Sequence, residues 1–273
     1  MKKWTDKDII YLQKHYQTSH VNDIAKALDR TTSSITNKVN KLGLHKETRR
    51  KYTLNIHAFS KLNIVNCYWA GFLAADGYIR DHLNHLGIRL SKKDRLHLVA
   101  LANFLGYNGP IKDMAHDPSS KGNNFTSNIY YSSSLVVCGA QQLIGDLNRH
   151  FNITSRKSLK LTPPNISNVD YQLAYIAGFV DGDGTLYRDK HSRLQLSIEC
   201  ASEEILLWIQ RIFDQIVPPQ GKHHTHVRQT KRKRKNKNFS YCLKITGGRA
   251  QQICDKLLQL ELPFLKRKWS NVV

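Results

Sequence analysis

The chain is predicted to be an α+β protein: two copies of a helix, strands, helix, strands, helix unit behind a small all-α N-terminal module. Three observations predict it. Residues 68–79 read YWAGFLAADGYI and residues 175–186 read YIAGFVDGDGTL, so an apolar helix ending in Asp-Gly occurs twice, with Asp76 and Asp183 107 residues apart. Each copy leads into alternation at period two, Leu86, Ile88 and Leu90 in the first and Leu194, Leu196 and Ile198 in the second, the signature of half-buried strands. Two later landmarks recur in the same order: GAQQLIGDL (139–147) with RAQQICDKL (249–257), and SRKS (155–158) with KRKW (266–269).

The elements follow in order. Over residues 1–46, Trp4, Ile9, Leu12 and Tyr16, then Ile24, Ala25 and Leu28, then Ile35, Val39 and Leu42 recur at helical spacing, and Gly43 stops the third helix. That helix turns Ser33, Ser34, Asn37 and Lys41 away from its apolar stripe, with Arg30 in the turn before it. Short polar and basic side chains on an exposed helix suit a major groove. The module resembles a Myb-like or homeodomain-like helix-turn-helix; a plain three-helix bundle is the alternative. Residues 47–65 read as a basic linker, with Arg49 and Arg50 available to phosphates. Residues 66–160 form repeat 1, the Pro- and Asn-containing segment 161–172 a second linker, and residues 173–273 repeat 2. Sheets are expected near 78–92, 109–133, 185–200 and 222–246, with helical runs from Leu96 to Leu105 and Ile205 to Ile216.

Composition narrows the function. Lys and Arg number 42 against 21 Asp and Glu, a formal charge of +21 that asks for a polyanionic partner. Nucleic acid is the expected one, and an anionic membrane surface is weaker because no long basic amphipathic helix is visible. No apolar run is long enough to span a bilayer, and MKKWTDKD lacks a secretory apolar core, so a cytoplasmic, organellar or nucleoid-associated location is expected. Five scattered cysteines without a CxxC pair fit neither a disulfide framework nor a zinc site.

The paired motifs carry the chemistry. Gly71 and Ala75, like Gly178 and Gly182, are four apart, so two helix backbones can approach closely there. If the motif helices pack on each other, Asp76 and Asp183 converge where two negative helix ends meet, which is unfavourable unless something cationic binds. Hard carboxylate oxygens suit Mg²⁺ or another divalent cation.

WAGFLAADG and IAGFVDGDG closely resemble the LAGLIDADG motif of homing endonucleases, and the resemblance covers residues 66–273. It implies a monomeric, single-chain enzyme of two pseudo-symmetric αββαββα repeats whose antiparallel sheets bind DNA. It also implies metal-dependent hydrolysis of both strands of a long asymmetric double-stranded target, leaving short 3′ overhangs, in the service of intron homing. By resemblance, Asp76 and Asp183 bind the metals, with the carbonyls of Ala75 and Gly182 nearby, and Lys157 and Lys268 are the basic catalytic residues. Ala74 stands where the family has an earlier Asp, which Asp181 keeps; neither position is a metal ligand of the family. Lys92 and Ser202 are weaker candidates for polar groups in the pocket.

On the sheets, Arg80, Arg89, Tyr187, Arg193, Gln195, Arg228 and Lys244 are expected DNA contacts. A register slip of one residue would reverse their face. The run KRKRKNK (231–237), including Lys231, Arg232, Lys233 and Arg234, reads as a hairpin tip gripping phosphates in preference to a nuclear localisation signal. Its counterpart 117–125 is far less charged, so the two halves should read different half-sites. DGDGTL is not an EF-hand, since Ser192 stands where the loop needs Glu. His223, His224 and His226 fit a DNA-facing strand better than a zinc site. The rival function is an intron-RNA maturase or a non-catalytic DNA-binding regulator on the same scaffold. An intein-embedded nuclease is disfavoured by the termini MKKW and SNVV.

Overall fold

The computed structural model describes residues 3–16, 18–44, 51–116, 130–157, 160–220, 226–230 and 240–272. The chain divides into two compact units, Met1–Lys51 and Tyr52–Val273.

The first unit contains α1 (Asp6–His15), α2 (Val21–Ala27) and α3 (Thr32–Lys41). Thr5 starts α1 through a capping box with Asp8, and the Thr31 hydroxyl accepts from Ser34 N–H to start α3. Leu12, Ile24, Ala25, Leu28, Ile35 and Val39 form its core. Ser33, Asn37 and Lys41 are exposed. Arg30 is not, which corrects its expected role as a DNA contact. Its side chain is 4% exposed, donates to Asp8 Oδ2 at 2.9 Å and Lys3 O at 2.7 Å, and stacks 4.1 Å from the Trp4 ring centre. Arg30 therefore staples the turn to α1, and it holds the Asp8 carboxyl below the usual range.

In the second unit, α4 (Ile64–Asp76) leads into β1 (Gly77–Arg80), β2 (His85–Ser91), α5 (Arg95–Phe104), β3 (Ile111–His116), β4 (Tyr130–Val137) and α6 (Gln141–Phe151). The second repeat runs α7 (Val169–Asp183), β5 (Gly184–Arg188), β6 (Leu194–Cys200), α8 (Glu203–Ile216), β7 (Arg228–Gln229), β8 (Tyr241–Thr246) and α9 (Gly247–Leu258), closing with the short α10 (Lys266–Trp269). The sheets have matching orders, β1-β2-β4-β3 and β5-β6-β8-β7, and every pairing is antiparallel. One hydrophobic core spans both repeats.

Part of the segment read as a linker belongs to this fold. Asn55 N–H donates to Leu105 O at 2.8 Å, the Thr53 hydroxyl donates to Gly106 O, and fully buried Phe59 packs edge-on against Phe104 and Phe151. A buried phenyl ring outweighs the local basic composition, so residues 53–59 are docked on repeat 1.

Register assigns the sheet faces. Ile79, Leu86, Ile88, Leu90, Leu135 and Val137 point into the core, as do Leu186, Leu194, Leu196, Ile198, Leu243 and Ile245. The opposite face of the first sheet presents exposed Arg80, Arg89 and Lys112, the last two both paired with Ser134. On the second sheet that face presents Thr185, Tyr187, Arg228, Lys244 and Thr246.

Candidate active site

The site begins with two helices that start and stop alike. Asn63 caps α4 through reciprocal bonds with Asn66, and Asn168 caps α7 through Tyr171 N–H. Both end at an extended glycine. A Cβ on Gly77 would lie 2.5 Å from Leu73 O, and one on Gly184 2.5 Å from Val180 O. The Gly after each acid therefore lets the chain leave the helix directly into a strand.

Between those ends the helices touch backbone to backbone. A Cβ on Gly71 would fall 1.9 Å from Tyr175 O, and a Cβ on Gly178 would fall 1.9 Å from Tyr68 O. These contacts are reciprocal under the 107-residue offset, as a pseudo-twofold axis between the helices requires. At the lower end, a Cβ on Gly182 would meet Ala75 Cβ at 2.2 Å and sit 3.5 Å from Asp76 N. The residues preceding Asp76 and Asp183 thus lie against each other, and both acids emerge exposed beside this crossing.

Two lysines close the helix ends. Lys157, 7% exposed, donates from Nζ to Ala74 O and to Ala75 O at 2.9 Å. Lys268 donates to Asp181 O at 2.6 Å, Gly184 O at 2.7 Å, Gly182 O at 2.8 Å and Val180 O at 3.1 Å. Burial pulls both ammonium groups below the usual lysine range, while Asp183 and Asp76 hold Lys157 up and Asp181 and Asp76 hold Lys268 up. The protein mass behind Asp76 pushes its carboxyl up even though its tip reaches solvent, and Lys268 and Lys157 oppose that push. At the converging helix ends the chain also supplies two ammonium groups of its own, on the carbonyls where the helix dipoles terminate. The same bonds occupy one side of the Ala75 and Gly182 carbonyls.

Asp181 is a different kind of acid. It is 1% exposed, and Oδ2 accepts from Tyr68 Oη at 2.6 Å and Leu265 N–H at 2.9 Å while Oδ1 accepts from Trp269 Nε1 at 2.6 Å. Burial raises its carboxyl, and these three bonds together with Lys268 work against the rise. Tyr68 Oη also lies 3.1 Å from His97 Nε2, and Arg267 forms a fork with Asp94 at 2.6 and 2.7 Å.

Asp76, Asp183, Lys157, Lys268, Ala75 and Gly182 therefore gather at one place. Ser202 is buried and donates to Leu161 O at 2.6 Å, which uses it in fixing the inter-repeat segment. Gln195 is 4% exposed and donates to Asp189 Oδ2, so its amide serves the β5–β6 turn; this corrects its expected role as a DNA contact. Arg193 is exposed but paired with Asp189 in the same turn. Exposed Lys92 stands 5.4 Å from the Tyr131 ring centre, Arg80 5.4 Å from Tyr78 and Lys244 5.9 Å from Tyr187. Arg49, Arg50, Lys231, Arg232, Lys233 and Arg234 lie outside the described residues. Sequence reasoning missed Lys112, although it alternates with Ile111 and Asp113 in an obvious strand. It also missed the Asp94–Arg267 pair, which no local pattern announces.

The donor set is compatible with a hard divalent cation. Two carboxylates and nearby carbonyls are all-oxygen donors, and Mg²⁺ is commonly held by one or two carboxylates completed by water and substrate phosphates. Among the described residues no group of three or more His, Cys, Asp or Glu could hold a metal by itself, so phosphate would have to complete this one.

Residues 170–259 match the LAGLIDADG-like domain. No curated protein sequence matches. Among solved structures, the chain is similar to the homing endonuclease I-WcaI bound to its DNA recognition sequence (12% identity, 87% of this chain and 98% of that one, TM-score 0.44). It is similar to mesophilic variants of the homing endonuclease I-DmoI (16%, 77% and 94%, TM-score 0.41). It is also similar to full-length WhiA from Thermatoga maritima (13%, 80% and 63%, TM-score 0.43). The match begins just upstream of the Gly178 crossing and runs through α9, so residues 170–259 are similar to a LAGLIDADG-like domain, and the reciprocal helix contacts with matching sheet order make repeat 1 the structural counterpart of repeat 2.

Proposed function

We propose that the protein is a site-specific DNA endonuclease that hydrolyses both strands of a long, asymmetric duplex at the crossing of α4 and α7, leaving short 3′ overhangs. One observation carries this reading: the glycine-mediated crossing brings Asp76 and Asp183 out together, with Lys157 and Lys268 fixed behind them. The open sheet faces supply cations and aromatic rings for the groove, including Arg80, Arg89, Lys92, Tyr187, Arg228 and Lys244. Arg193 would reach the duplex only by sharing its pairing with Asp189. In the N-terminal module Ser33, Asn37 and Lys41 are the groove-facing set, adding contact by avidity. The unequal basic content of the two halves matches a target without a palindrome.

Asp76 and Asp183 would hold Mg²⁺ or a similar ion, which supplies activation of water and stabilisation of the leaving 3′ oxygen. The chain's own contribution is electrostatic. Lys157 and Lys268 offset the negative ends of the two helices behind the two carboxylates, and both ammonium groups favour the extra negative charge of a pentavalent phosphate. The chain acts as a monomer in this reading, because both acids come from one polypeptide.

The test is cleavage selection on a randomised duplex library with Mg²⁺, comparing wild type with Asp76→Asn and Asp183→Asn. Cutting of both strands by wild type and loss of cutting by each variant, with DNA binding retained, is the expected result. A second reading, a non-catalytic DNA-binding regulator or intron-RNA maturase, is favoured by the lysine bonds already made to Ala75 O and Gly182 O. Tight binding with no cut strand in any selected pool would choose it.

A further inference from the structure

Lys157 and Lys268 hold equivalent places, but their supports are unequal. Around Lys268, alternate residues are tied down: Leu265 N–H and the Trp269 indole bind Asp181, and Arg267 forks onto Asp94. Two of the anchors, Tyr68 and Asp94, belong to the first repeat, so the first repeat holds the lysine of the second. The equivalent of Asp181 is Ala74, which offers no side-chain acceptor, and the equivalent of Tyr68 is Tyr175, whose fully buried hydroxyl has no hydrogen-bond partner among the described residues. Beside Lys157, Arg156 sits at φ 57°, a left-handed conformation that a non-glycine residue adopts at some cost.

A carboxylate buried to 1% is costly unless its oxygens are satisfied, and this one accepts three bonds, one from α4 and two from the strap Leu265–Trp269. We propose that Asp181 is a positioning residue: it clamps the strap Leu265–Trp269 onto the end of α7, so that Lys268 is locked on its four carbonyls, whereas among the described residues no buried acid clamps the segment around Lys157. The inference deepens the endonuclease reading, since Lys268 flanks the acids of that site. The clamp itself exists whether or not DNA is cut.

The test is amine labelling of the full-length protein without DNA or metal, with Lys268 and Lys157 quantified separately by mass spectrometry. In Asp181→Asn, Lys268 labelling should rise about fivefold, the effect of losing one buried hydrogen bond, with Lys157 unchanged. Trp269→Phe keeps the ring and removes one donor. It should move Lys268 in the same direction, and it carries the test if Asp181→Asn does not fold. Unchanged Lys268 labelling, or an equal rise at both lysines, overturns the proposal. A wild-type chain that never cuts DNA would end the endonuclease reading and leave this result standing. If wild type does cut, Trp269→Phe should lower kcat with KM for DNA little changed.

Discussion

Tyr68 and Tyr175 occupy the same position in the two repeats, and both are fully buried. The Tyr68 hydroxyl has Asp181, Pro263 O and His97 within hydrogen-bond distance. Tyr175 has no hydroxyl partner among the described residues, Ala74 stands at the position equivalent to Asp181, and Trp208 packs edge-on against the Tyr175 ring as His97 does against Tyr68. Duplication thus kept the backbone crossing, which sterics enforces from both sides, and let the polar shell diverge. The frame is symmetric and the chemistry around it is not.

The largest expected effect tests the symmetric part. Gly71→Ala and Gly178→Ala each drive a methyl into a carbonyl oxygen of the other helix, which cannot move without separating α4 from α7. Each should cost more than the roughly 1–3 kcal/mol usual for overpacking, and by similar amounts in chemical denaturation. A large inequality between them would break the twofold equivalence.

Next come two tests of the asymmetric shell. Burial lowers the His97 pKa to about 4 from an ordinary 6.5, so the folded protein binds fewer protons than the unfolded chain between those values. Stability should therefore fall as pH drops from about 6.5 towards 4, by up to ~3 kcal/mol at 1.36 kcal/mol per unit. His97→Gln should flatten that part of the profile. The tyrosines differ next: Tyr68→Phe removes one of the three donors to the buried Asp181 carboxylate and should cost about 1–3 kcal/mol, whereas Tyr175→Phe removes a hydroxyl without a hydrogen-bond partner among the described residues and should be neutral or slightly stabilising. Equal costs in thermal or denaturant melts would mean that the hydroxyls are equivalently bonded.

These pairs also show what one sequence can disclose. The helices, the sheets and the crossing were legible because periodicity and small-residue spacing are local patterns, and the repetition supplied each reading twice. The open faces were legible for Arg80, Arg89, Tyr187 and Lys244 because alternation preserves parity through a strand. Arg30 and Gln195 were misread for one reason: a polar side chain is bound by partners distant in sequence, here Asp8 and Trp4, and in a tight turn Asp189. Asp181 reads in the sequence only as the earlier acid of the motif, outside the metal ligands, because its donors Leu265 and Trp269 lie more than 80 residues away. The cations on the helix ends, Lys157 and Lys268, come from the far end of each repeat, where the resemblance pointed to them and local pattern did not.

The smallest effect probes the matching of α6 with α9. In the aligned strings GAQQLIGDL and RAQQICDKL, Gly145 stands opposite Asp255. Gly145 is exposed in mid-helix, at an ordinary helical φ, and a Cβ built on it meets nothing within 4 Å. No close approach requires glycine there, in contrast with Gly71 and Gly178, so its only energetic consequence is a more flexible unfolded chain. Gly145→Ala should then stabilise the protein by about 0.5–1 kcal/mol, a rise in melting temperature of a few degrees at most. Destabilisation would show that this face of α6 packs against something, and the paired helices of the two repeats would differ in their surroundings as well as in their residues.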